Sequence, residues 1–337
     1  MRDFDIDILR FIGLAMIVLA HVEPPGFIFQ MRNFDVPLMV MISGMSFAIS
    51  YDNKDSYCSF ICKRISRLLL PVWLFLTGYF LLQWLFIPNS DDLNFETIMN
   101  SYLLIDGIGY VWIIKVFLLV SIVSPLLYRF HRNTISDSLY FTVIAIIFIV
   151  YECIRFVSMP YVDEGLLKSM SLVTHYLVPY AIIFSIGLRL KSIPHKALFT
   201  LIIVSGTVFL SICVTLYVLS GSVIPTQELK YPPSIYYCSY AILISCVLFY
   251  VIGRYNEYIE FNIFKLIISF CARNSIWIYL WHIPFVRFYN DTFVIKYMVV
   301  LTFAIMITYL QVSLVKIIST RLRSERQKRN LKNLLTG

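Results

Sequence analysis

The chain has little charge. Asp, Glu, Lys and Arg make up 14% of its 337 residues, against 59% hydrophobic, and the mean hydropathy is +0.77. Such a composition excludes an ordinary soluble globular domain and points to a multi-span membrane protein. The spacings of several enzyme classes are missing too: there is no histidine pair at zincin spacing, no G-x-S-x-G, no G-x-G-x-x-G and no P-loop. Metal-dependent chemistry and nucleotide hydrolysis are therefore unsupported, and no metal site is expected. Seven cysteines lie scattered singly without a C-x-x-C, and they read as reduced core residues. The opening MRDFDID shows no small-residue cleavage site, so it is expected to lead into a first transmembrane helix rather than a removed signal peptide.

Ten apolar segments of helical length are present. They run over 6–23, 36–50, 68–87, 110–128, 139–157, 173–190, 198–219, 235–252, 274–288 and 293–318. The expected fold is an all-α, polytopic transmembrane bundle of about ten helices, with one membrane domain over 1–320 and a basic tail over 321–337. Alternate connections hold Lys54, Lys63, Arg64, Arg67, Arg129, Arg132, Arg189, Lys191, Lys196, Arg254 and Lys265, while the others hold little beyond Arg32, Lys168 and Lys230. By the positive-inside rule both termini are cytoplasmic. The net charge of +8 is this bias rather than a nucleic-acid footprint, and the basic tail is expected to rest on anionic lipid headgroups.

A few polar side chains interrupt the apolar runs. In IDILRFIGLAMIVLAH, Arg10 and His21 are eleven residues apart. At about 100° per residue they share one helix face, roughly 16 Å apart along the axis. A lone histidine in such a helix is ordinarily a hydrogen-bonded core residue. The aligned Arg10, with Asp7 one turn before it, favours a functional one, and a near-neutral pKa suits a general base. Arg64 and Arg67 are three apart at the start of the third helix, where they are either positive-inside flanking or a clamp for phosphates. Ser43-Gly44 suits close helix packing. Ser275, Tyr279 and His282 form a polar stripe on the ninth helix. Lys115 and Glu152 are intramembrane charges, which usually pair or line a cavity.

Taken in order, these stretches resemble the acyltransferase-3 membrane proteins. DILRFIGLAMIVLAH is similar to the family's opening Arg and His with ten residues between them, here Arg10 and His21. VPLMVMISG resembles its apolar run ending in Ser-Gly, at Ser43 and Gly44, without the paired phenylalanines common there. KRISRLLLP is similar to its Arg-x-x-Arg at Arg64 and Arg67, and NSIWIYLWHIPF to its late Ser…Tyr-Leu-x-His at Ser275, Tyr279 and His282. The resemblance implies transfer of an acyl group, most often acetyl from acetyl-CoA, to a sugar hydroxyl of a cell-surface glycan or its lipid-linked precursor. Acetyl-CoA or another acyl-CoA would be a donor substrate, with no cofactor bound permanently. The implied setting is a bacterial inner membrane.

On that reading the donor's phosphates sit at Arg64 and Arg67 with Arg10 nearby, and the pantetheine arm reaches toward His21. His21 then either deprotonates the acceptor hydroxyl or carries the acyl group itself. Its second ring nitrogen needs an orienting partner. Ser43, Lys115, Glu152, Ser275, Tyr279 and His282 are expected to supply substrate contacts or a supporting polar network. No hydrolase-like domain follows the tenth helix, so the chain is expected to act alone or hand over to another protein. The alternative is a secondary transporter or glycan flippase, for which no inverted repeat is visible.

Overall fold

A computed structural model describes residues 3–51, 56–105, 107–162, 165–255 and 262–336. Lys54 and the side chain of Lys168, counted above for the charge bias, lie outside the described residues. The described chain is all α-helix with short 3₁₀ turns and no strand. The helices are α1 (Phe4–His21), α2 (Gly26–Met31), α3 (Asp35–Ser50), α4 (Tyr57–Phe86), α5 (Phe95–Tyr102), α6 (Trp112–Asn133) and α7 (Asp137–Ser158). They continue with α8 (Gly165–Leu190), α9 (His195–Ser220), α10 (Ile235–Tyr255), α11 (Asn262–Arg273), α12 (Ser275–Phe288), α13 (Phe293–Arg321) and α14 (Glu325–Leu335).

Each of the ten expected segments falls on a helix, and most boundaries agree within about one turn. The exceptions are α4 and α8, which start eleven and eight residues earlier than the apolar runs suggest, and α6, which ends five residues later. Polar and basic residues such as Lys63, Arg64 and Arg67 continue the α4 helix below its apolar stretch. Among the described residues, eight helices are long and apolar enough to cross a membrane, or nine if one bent pair forms a single span. That pair is α11 and α12, whose axes differ by 84°. The bend falls at Asn274, where both the backbone N–H and the side-chain amide donate to the Phe270 carbonyl. α1 accounts for the remaining difference from ten. Asp5, Asp7 and Arg10 all lie within its 18 residues, whereas each of the other spans offers an 18-residue apolar window with at most two charged residues.

The chain divides into two compact units, described separately. The first comprises residues 1–13, 25–54 and 119–260. Within it α3 and α8 pack so closely that each uses a glycine. A Cβ on Gly44 would collide with the Phe184 carbonyl and stand 2.9 Å from the Leu188 nitrogen, and one on Gly187 would collide with the Met41 carbonyl. Arg189 closes the α6–α7 turn by donating to Asp137 at 2.7 Å and to the carbonyls of His131, Thr134 and Ile135. α7 and α9 expose most of their apolar side chains, as lipid-facing helices do.

The second unit comprises residues 14–24, 55–118 and 261–337. α12 packs on α13 and α4. The expected basic tail forms α14, which packs on α4 and α13. Trp277 Nε1 donates to the Leu334 carbonyl at 3.2 Å, and Gln311 Nε2 to the Leu335 carbonyl at 2.7 Å. The end of this helix, which rests on tryptophan and glutamine, therefore contacts protein as well as presenting a basic face.

Candidate active site

His21 is the last residue of α1. The helix cannot continue because Pro24 and Pro25 follow, and Glu23 takes a left-handed φ of 55°, a conformation rarely adopted outside glycine. The end of α1 is held in the second unit by an apolar cluster of Val18, Val22, Val286 and Val300, with Leu19 and Leu301 against it. Tyr297 adds a hydrogen bond from its hydroxyl to the Ala15 carbonyl, at 3.3 Å. His21 is thus fixed by packing on α12 and α13 and remains half-buried.

The missing partner of its ring is His282. His21 Nδ1 and His282 Nε2 are 2.9 Å apart, with the two rings stacked at 5.0 Å and 23°. His282 is fully buried, and its Nδ1 bonds the Tyr279 carbonyl one turn earlier on α12. A carbonyl oxygen can only accept, so His282 Nδ1 carries the proton and its Nε2 the lone pair. That nitrogen accepts from His21, which fixes the proton of His21 on Nδ1 and its lone pair on Nε2. The relay from Tyr279 through His282 to His21 sets the tautomer a general base requires, the role a third group plays in other nucleophile–base–orienter arrangements.

A second layer holds this pair. Tyr110 packs edge-on against His21 at 4.9 Å and against His282 at 5.9 Å. Its loop is shaped by Gly107 and Gly109, both with positive φ (52° and 81°), and a Cβ on Gly107 would collide with Ser101. Tyr279 donates its hydroxyl to the Tyr110 carbonyl, and Arg287 donates to the Ile108 carbonyl at 3.1 Å. Arg287 also lies 5.5 Å over the Tyr110 ring and pairs with Asp92. Asp92 accepts further bonds from Tyr79 and Gln83, each at 3.2 Å.

The other expected site residues divide between the units. In the second, Arg64 is half-buried and Arg67 exposed on one face of α4, Lys115 is half-buried on α6, and Ser275 starts α12. In the first, Arg10 donates to Ser46 Oγ at 2.7 Å, and Ser43 donates to the Met39 carbonyl of its own helix at 3.1 Å. Glu152 pairs with Arg155 at 2.5 Å and accepts the Ile235 N–H at the start of α10, at 2.9 Å. Its charge is spent on fixing two helices. Tyr110, Asp92 and Arg287 were missed from sequence, although Arg287 is a charge within the ninth apolar segment, the signal that singled out Lys115 and Glu152 in theirs. Among the described residues no group of three His, Cys, Asp or Glu side chains could hold a metal ion.

No curated protein and no solved structure matches the chain. A family model does: the acyltransferase-3 model, described as an acyltransferase domain, matches residues 3–316. The match spans nearly the whole chain, including α1 with His21 and α12 with His282. Together with its apolar spans, this shows that the protein is a membrane acyltransferase belonging to the acyltransferase-3 family.

Proposed function

We propose that the protein is a membrane O-acyltransferase that moves an acyl group, acetyl foremost, from acyl-CoA to a hydroxyl of a cell-surface glycan or its lipid-linked precursor, in a bacterial inner membrane. The observation that carries the reading is the His21–His282 pair with its tautomer set by the Tyr279 carbonyl. The acceptor hydroxyl gives its proton to His21 Nε2 as its oxygen attacks the thioester carbonyl. The C–S bond then breaks, and the departing thiolate takes that proton to leave as coenzyme A thiol. His21 Nε2 would equally carry the acyl group in a two-step route, so both routes require it.

Arg64 and Arg67 serve the donor. Two guanidinium groups three residues apart on α4 suit bidentate binding of the nucleotide's phosphates. The loop charges favour a cytoplasmic side for them, and the proline break after His21 favours the opposite half of the membrane for the histidine. Donor and acceptor would then arrive from opposite faces, with both termini cytoplasmic. The ion-coupled transporter reading loses support because Glu152 is neutralised by Arg155.

The test is reconstitution in oriented vesicles. Acyl-CoA on the Arg64 side should be consumed in the presence of a glycan acceptor, and acyl-CoA on the other side should not. Cysteines placed near Glu23 and near Arg64 should label from opposite faces. Labelling of both from one face would refute the two-sided arrangement.

A further inference from the structure

Between α4 and α12 the second unit holds a slot of about 580 Å³, within the range of small-ligand sites. One wall is the stripe Leu74, Gly78, Leu82 and Phe86, which recurs every fourth residue along α4. At about 1.5 Å per residue that stripe is roughly 18 Å long. Trp281 and Pro284 of α12 face it. Leu74, Leu82 and Phe86 are exposed, so the slot opens sideways toward the surroundings of the spans, which are hydrocarbon.

Two amides interrupt this lining. Gln311 is satisfied, because its Oε1 accepts from Trp281 Nε1 at 2.7 Å and its Nε2 bonds the Leu335 carbonyl. Gln83 is not. It is 3% exposed and gives its Nε2 to Asp92, while its Oε1 is buried with no donor among the described residues. A buried acceptor left unmet is costly. It stands beside the Asp92–Arg287 pair that props Tyr110 against His21. An apolar slot therefore contains one unmet acceptor, linked through Asp92, Arg287 and Tyr110 to the histidine pair. A plain hydrocarbon tail satisfies the slot and leaves the acceptor empty, whereas an amphiphile with a hydroxylated head satisfies both.

We propose that this slot seats the hydrocarbon anchor of a lipid-linked sugar acceptor, with a sugar hydroxyl donating to Gln83 Oε1 and the head group carried toward Tyr110 and His21. The acceptor role rests on the O-acyltransferase reading above, but occupancy of the slot does not. On this view the enzyme acts on the lipid-linked precursor rather than on free polymer.

Gly78 supplies the test. A Cβ there meets nothing within 4 Å, so Gly78→Leu projects into the slot without moving the backbone, and leucine is the better helix former. The full chain, in vesicles of phosphatidylethanolamine and phosphatidylglycerol, is irradiated with a long-chain alkyl phosphate-linked hexose bearing a diazirine at its chain end. Parallel samples use a diazirine phosphatidylcholine and a diazirine fatty acyl-CoA. The expected result is labelling of peptides over 74–86 and 277–288 by the sugar lipid. Unlabelled sugar lipid should compete it away, and Gly78→Leu should reduce it at least tenfold. Equal, uncompeted labelling by phosphatidylcholine would mean bulk lipid and overturn the proposal. Labelling competed only by acyl-CoA would assign the slot to the donor's chain and overturn it too, as would no labelling at all. Transfer to a sugar without slot labelling sinks this inference alone, whereas slot labelling without transfer sinks the reading of function alone.

Discussion

Replacing His282 tests the relay most sharply, because His282 is buried and its proposed role is to position His21. In His282→Ala the Nδ1–H of His21 loses the acceptor that stands 2.9 Å away. Leaving a buried donor without its acceptor costs about 1–3 kcal/mol. At about 1.4 kcal/mol per tenfold in rate, kcat should fall roughly 5- to 150-fold. KM for the donor should hold, since the phosphate-binding arginines are untouched. His282→Gln should recover part of the loss, because its amide oxygen can accept from His21 while its NH₂ donates to the Tyr279 carbonyl. The double variant His21→Ala/His282→Ala should be no slower than His21→Ala, because residues that act as a unit are not additive. The assay is radiolabelled acyl transfer from acyl-CoA to a glycan acceptor in proteoliposomes, with thermal unfolding as the control for the opened cavity. A variant with wild-type kcat, or one whose loss lies wholly in KM, would refute the relay.

Arg64→Ala or Arg67→Ala should weaken acyl-CoA binding about tenfold or more with little effect on acceptor KM, and lysine should rescue only in part; donor affinity by calorimetry decides. Lys230 is buried beside Asp35, at 3.8 Å, and Arg32, and burial pushes its pKa down to about 8. A lysine whose folded pKa lies below its unfolded value of about 10.4 destabilises the charged state, so stability should rise between pH 8 and about 10.4. Lys230→Met should flatten that rise and gain on the order of 3 kcal/mol near pH 7, read by thermal unfolding across pH. A variant that is less stable at pH 7 would show that the pair with Asp35 outweighs the burial. Gly44→Ala should cost about 1–3 kcal/mol or more by forcing α3 off α8, and a variant with unchanged melting would contradict the close approach.

Periodicity and hydropathy made the spans legible, since a helix in lipid must be apolar along most of its length. They understated α4 and α8, whose first turns mix polar residues (Ser59, Lys63, Arg64 and Arg67 in α4, Lys168, Ser169 and Ser171 in α8) among apolar ones and so break the hydropathy run without breaking the helix. They missed α11, because the chain turns by 84° at Asn274 without a proline or glycine to mark it. The site was half legible. His21 and His282 each stood out as a polar group in an apolar helix, but their contact joins residues 261 apart in sequence, and nothing local encodes it. Asp92 lies in the connection between the third and fourth apolar segments, outside the helical patterns that single out a polar group. Glu152 drew notice as an intramembrane charge, while its partner Arg155, three residues on, was within reach of the same helical spacing rule and went unused.

The central claim is that His21 is the base of an acyl-transfer reaction, and His21→Ala in proteoliposomes tests it most directly. The variant should insert and melt like the wild type, bind acyl-CoA with unchanged affinity, and lose glycan acylation by at least about 10²-fold, the usual cost of a lost general base. Acylation within a few-fold of wild type would contradict the account, and His21 would then be a packed histidine at the end of a helix.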